Sequence, residues 1–169
     1  MPMTDQPPPP TCYDKAVDLL ARRAHFEAEL RRKLLARGFE EVQVERALAR
    51  LREKGYVDDA RTAAQWVADQ LARRPQGRRR LRQGLQRKGV DGEVATAALE
   101  ALDDAAELDQ ARRAAAAWGA RRTGRDDQLA RHLDRRGFGT RVILTVLEER
   151  FEGPFGGSPC VDDDGVDSA

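Results

Sequence analysis

Between Arg73 and Lys88 the 169-residue chain places eight basic side chains and no acid: Arg73, Arg74, Arg78, Arg79, Arg80, Arg82, Arg87 and Lys88. A solvated helix face normally intersperses both signs of charge. Clustered cations suit an anionic partner, because neutralising phosphates and releasing their counterions needs little besides charge. Position sharpens the point. Arg78, Arg79, Arg80 and Arg82 open a helix, where cations oppose the positive end of the helix dipole. A partner explains them better than local helix stability does, and their removal is expected to leave the fold standing. Arg37, Arg87, Lys88, Arg135 and Arg136 have a blander explanation. Each sits in the last turn of a helix, where a cation meeting the negative end of the dipole contributes roughly 0.3–1 kcal/mol.

Catalysis has little to work with. There is no Gly-rich phosphate loop and no Ser-His-Asp spacing; His25 and His132 stand far apart, and Cys12 and Cys160 fall near opposite ends. No catalytic residue, metal ligand, cofactor or disulfide framework is expected. Aromatic residues make up 5% of the chain, too few for a stacking platform along a single strand. Trp66 and Trp118 lie in alanine-rich helical stretches and read as core. On charge alone, DNA and an acidic protein surface both remain open.

What positions the arginines is a repeat. LRRKLLARGF (30–39) returns loosely as LRQGLQRKGV (81–90) and LARHLDRRGF (129–138). In each copy a leucine stands eight residues before a glycine, with a second leucine four residues after the first. This is the apolar stripe of a short helix, ended by a left-handed glycine cap at Gly38, Gly89 or Gly137. The spacing also holds downstream, where Leu48, Leu99 and Leu147 follow the glycines by ten residues. No segment alternates with period two for long enough to make a strand.

The expected fold is all-α: three tandem three-helix repeats in an elongated stack, with disordered N- and C-terminal tails. The boundaries read 1–12 for a Pro-rich tail, 13–57, 58–103 and 104–151 for the repeats, and 152–169 for an acidic tail. Asp58 or Asp59, Asp91 and Thr140 offer side-chain oxygens as helix N-caps. Asp58, Asp59 and Tyr56 together read as a cap and packing corner. Setting apart the five acids of 152–169 leaves 30 basic against 24 acidic residues, so the body carries +6 while the whole chain carries +1. No apolar stretch is long enough for a membrane span, and no signal segment is evident, so the chain is expected to be cytoplasmic and monomeric.

The run from Leu19 to Val67 resembles the RecX family, regulators of the RecA recombinase. The family's opening motif is matched by Leu20, Arg23, Glu29, Leu30, Lys33 and Leu34, and its central element by Gly55, Tyr56, Val57, Asp58, Asp59 and Arg61. The basic stretch is matched by Gly77, Arg80, Leu81, Arg82, Leu85, Lys88, Gly89 and Val90. The likeness covers residues 16–151. Four positions depart from the family pattern. Thr62 replaces a phenylalanine, Leu81 an isoleucine and Gly84 a glutamate, while Phe26 stands where a small capping residue is usual. Thr62 and Gly84 are expected to weaken the second unit. The resemblance implies a non-enzymatic protein that binds RecA and RecA–DNA filaments and restrains ATPase activity, recombination and filament assembly. It also implies DNA contact without sequence preference. The rival readings are a DNA-binding helical module indifferent to RecA and a solenoid-type protein scaffold.

Overall fold

The computed structural model describes residues 10–119 and 125–152, and nine helices lie among them. The first unit holds α1 (Cys12–Leu20), α2 (Glu27–Leu35) and α3 (Glu41–Glu53); the second holds α4 (Asp59–Arg73), α5 (Arg78–Arg87) and α6 (Gly92–Glu100). The third holds α7 (Asp104–Gly119), α8 (Asp126–Arg135) and α9 (Thr140–Glu152). No strand occurs among the described residues. The expected tails, with Cys160, lie outside them, apart from 10–12 and Glu152.

Each unit buries its own core. Leu30, Leu34, Val44, Leu48 and Leu51 pack in the first, Leu81, Leu85, Ala95 and Leu99 in the second, and Leu129, Leu133, Phe138 and Val146 in the third. These are the leucine positions of the repeat, so the i, i+4 stripe does face inward. No hydrogen bond, ion pair or core cluster joins the first unit to the third among the described residues. Each unit therefore rests on its sequence neighbour, as stacked repeats do.

Helix ends follow local chemistry. Thr11 and Asp14 form a capping box at α1, so ordered chain starts ahead of the boundary expected at 13, and Cys12 is a buried core residue rather than part of a tail. Asp58 and Asp91 cap α4 and α6, whereas Thr140 is the first residue of α9. The φ angles of Gly38, Gly89 and Gly137 are +85°, +78° and +83°. At Gly89 and Gly137 the next amide reaches back to a carbonyl five residues earlier, Val90 to Leu85 and Phe138 to Leu133, which satisfies an orphan acceptor of the last turn. Gly55, with φ +68°, makes a fourth cap of this kind, closed by the Tyr56 amide on the Leu51 carbonyl.

Two departures from the family pattern find a physical reason here. A Cβ at Gly84 would lie 2.3 Å from the tip of the Trp66 ring. Glycine therefore costs helix propensity on α5 but opens the space into which the indole packs. Trp66 is half-buried and Trp118 buried. Phe26 occupies the N-cap position of α2 without capping it; the residue is 3% exposed and belongs to the second unit's core.

Candidate functional site

The basic run spans the end of α4 and all of α5, and the structure divides it. Arg78, Arg79 and Arg80 point at the third unit. The α5 N-terminus abuts the C-terminus of α8: the Gly77 amide donates to the Arg136 carbonyl at 3.0 Å and the Arg79 amide to Gly137 at 3.2 Å. Free N–H groups at the positive end of one helix thus meet free carbonyls at the negative end of another. The arginine side chains continue this match. Arg80 donates to the Arg135 carbonyl at 3.0 Å, and Arg79 reaches the Asp134 carbonyl at 2.6 Å and its carboxylate at 2.7 Å. Arg78 contacts the Leu102 carbonyl at 2.5 Å, Asp104 at 2.8 Å and Glu107 at 3.5 Å.

This changes the electrostatic argument. Three of the four arginines that oppose their own helix dipole are engaged within the chain: Arg78 and Arg79 by Asp104, Glu107 and Asp134, and Arg80 by a C-terminal carbonyl of α8. The expectation that the fold survives removal of all four rested on their opposing the helix dipole, and this geometry adds contacts from Arg78, Arg79 and Arg80 that the dipole alone does not show. Nothing in the local sequence around Arg78 points to acids 26 to 56 residues away.

The approach is close enough that only glycine fits. A Cβ on Gly77 would fall 2.2 Å from the Gly137 oxygen, and one on Gly137 would fall 2.4 Å from the Arg80 nitrogen. Arg136 closes the joint from the other side, donating to the Pro75 carbonyl at 2.9 Å and to His132 Nε2 at 2.9 Å. Burial, followed by the charges of Arg74 and Arg80, holds the Arg136 guanidinium below the usual arginine range.

The remaining basic residues face solvent. Arg73, Arg74 and Arg82 are exposed, and their side chains make no hydrogen bond or ion pair among the described residues; Arg87 reaches only the Gln83 carbonyl of its own helix. Lys88 lies over the Phe26 and Trp66 rings, 5.6 and 5.8 Å from their centroids. Arg79, Arg82, Gln83 and Gln86 recur at three- and four-residue spacing, so they share one face of α5. With Arg78, Glu107, Gly137 and Gly139 they line a cleft of about 420 Å³. No group of three or more His, Cys, Asp or Glu residues able to hold a metal occurs among the described residues.

Caps expected at Asp58 and Asp59 divide as well. Asp58 caps its own helix, α4, whereas the Asp59 carboxylate accepts the Glu27 amide at 2.9 Å and so caps α2 of the preceding unit. Phe26 cannot supply that bond, so a residue 32 positions from Glu27 does. Burial raises the Asp59 pKa; the Glu27 amide works against this and Asp58 adds to it. Glu107 repeats the device one unit later. It is 6% exposed and accepts the Arg78 amide at 2.8 Å, capping α5 where Gly77 has no side chain to offer. Sequence reasoning missed Glu107, Asp104 and Asp134; the only available signal was that Gly77 and Phe26 leave helix starts without a local cap. Tyr56, grouped with the aspartates as a packing corner, is 55% exposed.

The family motif Arg23–Glu29–Lys33 closes around a buried histidine. Glu29 pairs with Arg23, with Lys33 at 3.1 Å and with His25 Nδ1 at 3.2 Å. Burial pushes the Glu29 carboxyl up, but hydrogen bonds from Arg23, Lys33 and His25 outweigh it and bring the pKa down to about 2. Burial also lowers the His25 pKa. These matched residues hold the start of α2.

Comparison with known proteins agrees with this architecture. Residues 12–51 match the family model "RecX, first three-helix domain" and residues 58–99 match "RecX, second three-helix domain". The chain is 39% identical over 145 residues to the regulatory protein RecX of Mycobacterium sp. (strain JLS), covering 80% of this chain and 79% of that one. It is 34% identical over 168 residues to the regulatory protein RecX of Amycolatopsis mediterranei (strain U-32), covering 94% and 95%. The crystal structure of RecX from Lactobacillus salivarius superposes with a TM-score of 0.74 at 20% identity, over 82% of this chain and 93% of that one.

Proposed function

Because the chain belongs to the RecX family, we propose that it is a cytoplasmic, monomeric regulator that binds RecA and RecA–DNA filaments and restrains RecA's ATPase, recombinase and assembly activities. It belongs to a family of regulatory proteins, and we assign it no reaction of its own. The observation that carries the anionic half of this reading is the solvent-facing side of α5 with the end of α4. There Arg73, Arg74, Arg82 and Arg87 pair with no acid among the described residues. Such a strip suits a phosphate backbone, which is recognised by charge and without sequence preference. Arg78, Arg79, Arg80 and Lys88 lie at the edges of this strip, engaged by the third unit or by aromatic rings.

The test is RecA's DNA-dependent ATPase measured with and without the protein, alongside DNA binding across a salt series. The chain is expected to lower ATPase turnover. Arg82→Ala with Arg87→Ala, which removes charge without breaking a hydrogen bond across a joint, is expected to flatten the slope of log affinity on log salt by about 0.9 for each phosphate no longer neutralised. An unchanged ATPase rate sinks the RecA reading. An unchanged slope with a native circular dichroism spectrum removes α5 from DNA contact.

A further inference from the structure

The joint between the second and third units combines backbone hydrogen bonds and the buried Glu107 with two ion pairs whose acids are open to water. Arg79 and Asp134 are 52% and 60% exposed along their side chains, and Asp104, held by Arg78, is 89% exposed. An ion pair so placed exchanges readily with other ions, because solvent screens it. The cleft beside α5 is lined by Arg79 of that pair, with Arg78 and Glu107. Arg82, Gln83 and Gln86 on its α5 wall make no side-chain hydrogen bond among the described residues. A phosphodiester group entering here would meet Arg82 and the two amides, and would present paired oxygens to Arg79 in the fork geometry that guanidinium favours.

Little apolar surface backs this joint. Beyond the α6–α7 connection, Ala106, partly buried, is the one third-unit residue among those described that packs against the second core. The joint between the first and second units is pinned by Phe26, which lies inside that core. An anion can replace the first kind of contact and has no purchase on the second.

We propose that the second–third joint is an exchangeable clasp: a phosphodiester backbone in the cleft takes Arg79 from Asp134 and releases the third unit from the second, while the first unit stays docked. This rests on the reading of α5 as the DNA contact and adds its regulation. Release also frees Arg80 from the Arg135 carbonyl, so opening supplies further cations to the same strand. Coupling between sites is reciprocal. Weakening the clasp from the protein side therefore tightens DNA binding.

Hydrogen exchange on the full chain reads the two joints separately. The Gly77 and Arg79 amides donate across the second–third joint and the Glu27 amide across the first–second. A short oligothymidylate, added at constant ionic strength, is expected to speed exchange at Gly77 and Arg79 by at least about tenfold and to leave Glu27 unchanged. Asp134→Asn is expected to bind the oligonucleotide about twofold more tightly and to exchange faster at Gly77 before any is added. Binding, seen by fluorescence anisotropy, without faster exchange overturns the clasp and leaves the DNA reading intact. An Asp134→Asn chain that binds no tighter also overturns it. Opening by polyglutamate but not by oligothymidylate overturns the phosphate assignment. Absence of any oligothymidylate binding overturns the DNA reading, and the clasp with it.

Discussion

At the first joint the middle helix of the unit begins Phe26-Glu27-Ala28-Glu29; at the second, the equivalent positions read Gly77-Arg78-Arg79-Arg80. Both helix starts lack a local cap, and both receive a carboxylate from the next unit, Asp59 in one case and Glu107 in the other. There the likeness stops. In the first joint acids sit at the positive end of α2, in accord with its dipole, and Phe26 adds a buried ring with Lys88 over its face. In the second, arginines oppose the α5 dipole and are compensated by the α8 end and three acids. One repeat position can thus carry either an apolar pin or a charged clasp. Apolar burial is not subject to charge screening, whereas exposed charge is screened over about 8 Å at physiological ionic strength.

The largest expected effect is at the pin. Phe26→Ala should cost about 3–4 kcal/mol in chemical denaturation, the penalty of emptying a buried aromatic site. It should also loosen the first unit from the second. A destabilisation below about 1 kcal/mol would show that the ring does not hold this joint.

Glycine substitutions come next and isolate the clasp. Gly137→Ala should cost about 2–3 kcal/mol, combining left-handed strain with the overlap on Arg80. Gly38→Ala meets nothing within 4 Å, so it should cost only the strain, about 1 kcal/mol. Equal destabilisation by thermal melting would dissolve the argument that Gly137 is constrained by the joint.

Acid titration probes the first unit without mutation. The Glu29 carboxyl has a folded pKa of about 2, below its ordinary value of 4.5. Its stabilisation is therefore complete above the ordinary value and disappears as pH falls toward the folded one. At most about 2 kcal/mol is at stake once solvent screening is allowed for. Glu29→Gln should flatten the stability profile between those two pH values, and an unaltered profile would remove the Arg23–Glu29–Lys33 cluster from the acid response.

The smallest effect belongs to the outer edge of the clasp. A double-mutant cycle on Arg79 and Asp134 should give a coupling of about 0.5 kcal/mol at physiological salt, fading as salt rises. A coupling above about 2 kcal/mol that is indifferent to salt would contradict the contrast between the joints.

How much could be read without coordinates follows from the range of each interaction. The leucine stripe and the glycine caps depend on partners within five residues, so spacing around Leu81, Leu85 and Gly89 is enough to place a helix and its end. The all-helical class and the three-unit organisation follow from the same periodicity. Asp58 and Asp91 cap their own helices and were legible for that reason. The space that Gly84 leaves for Trp66 was not legible, because the indole lies on another helix.

Sequence alone determined that the chain has three like units, where their helices lie, and that one unit carries a concentrated positive charge. These are properties of short stretches, set by periodicity, cap chemistry and composition. Tertiary structure decided which of the arginines are spent on the chain itself. Coulomb attraction acts through space, and the acids that meet Arg78 and Arg79 arrive from 26 and 55 residues away. Only the folded arrangement of α5 against α8 could tell a charge that holds two units together from one left facing the solvent.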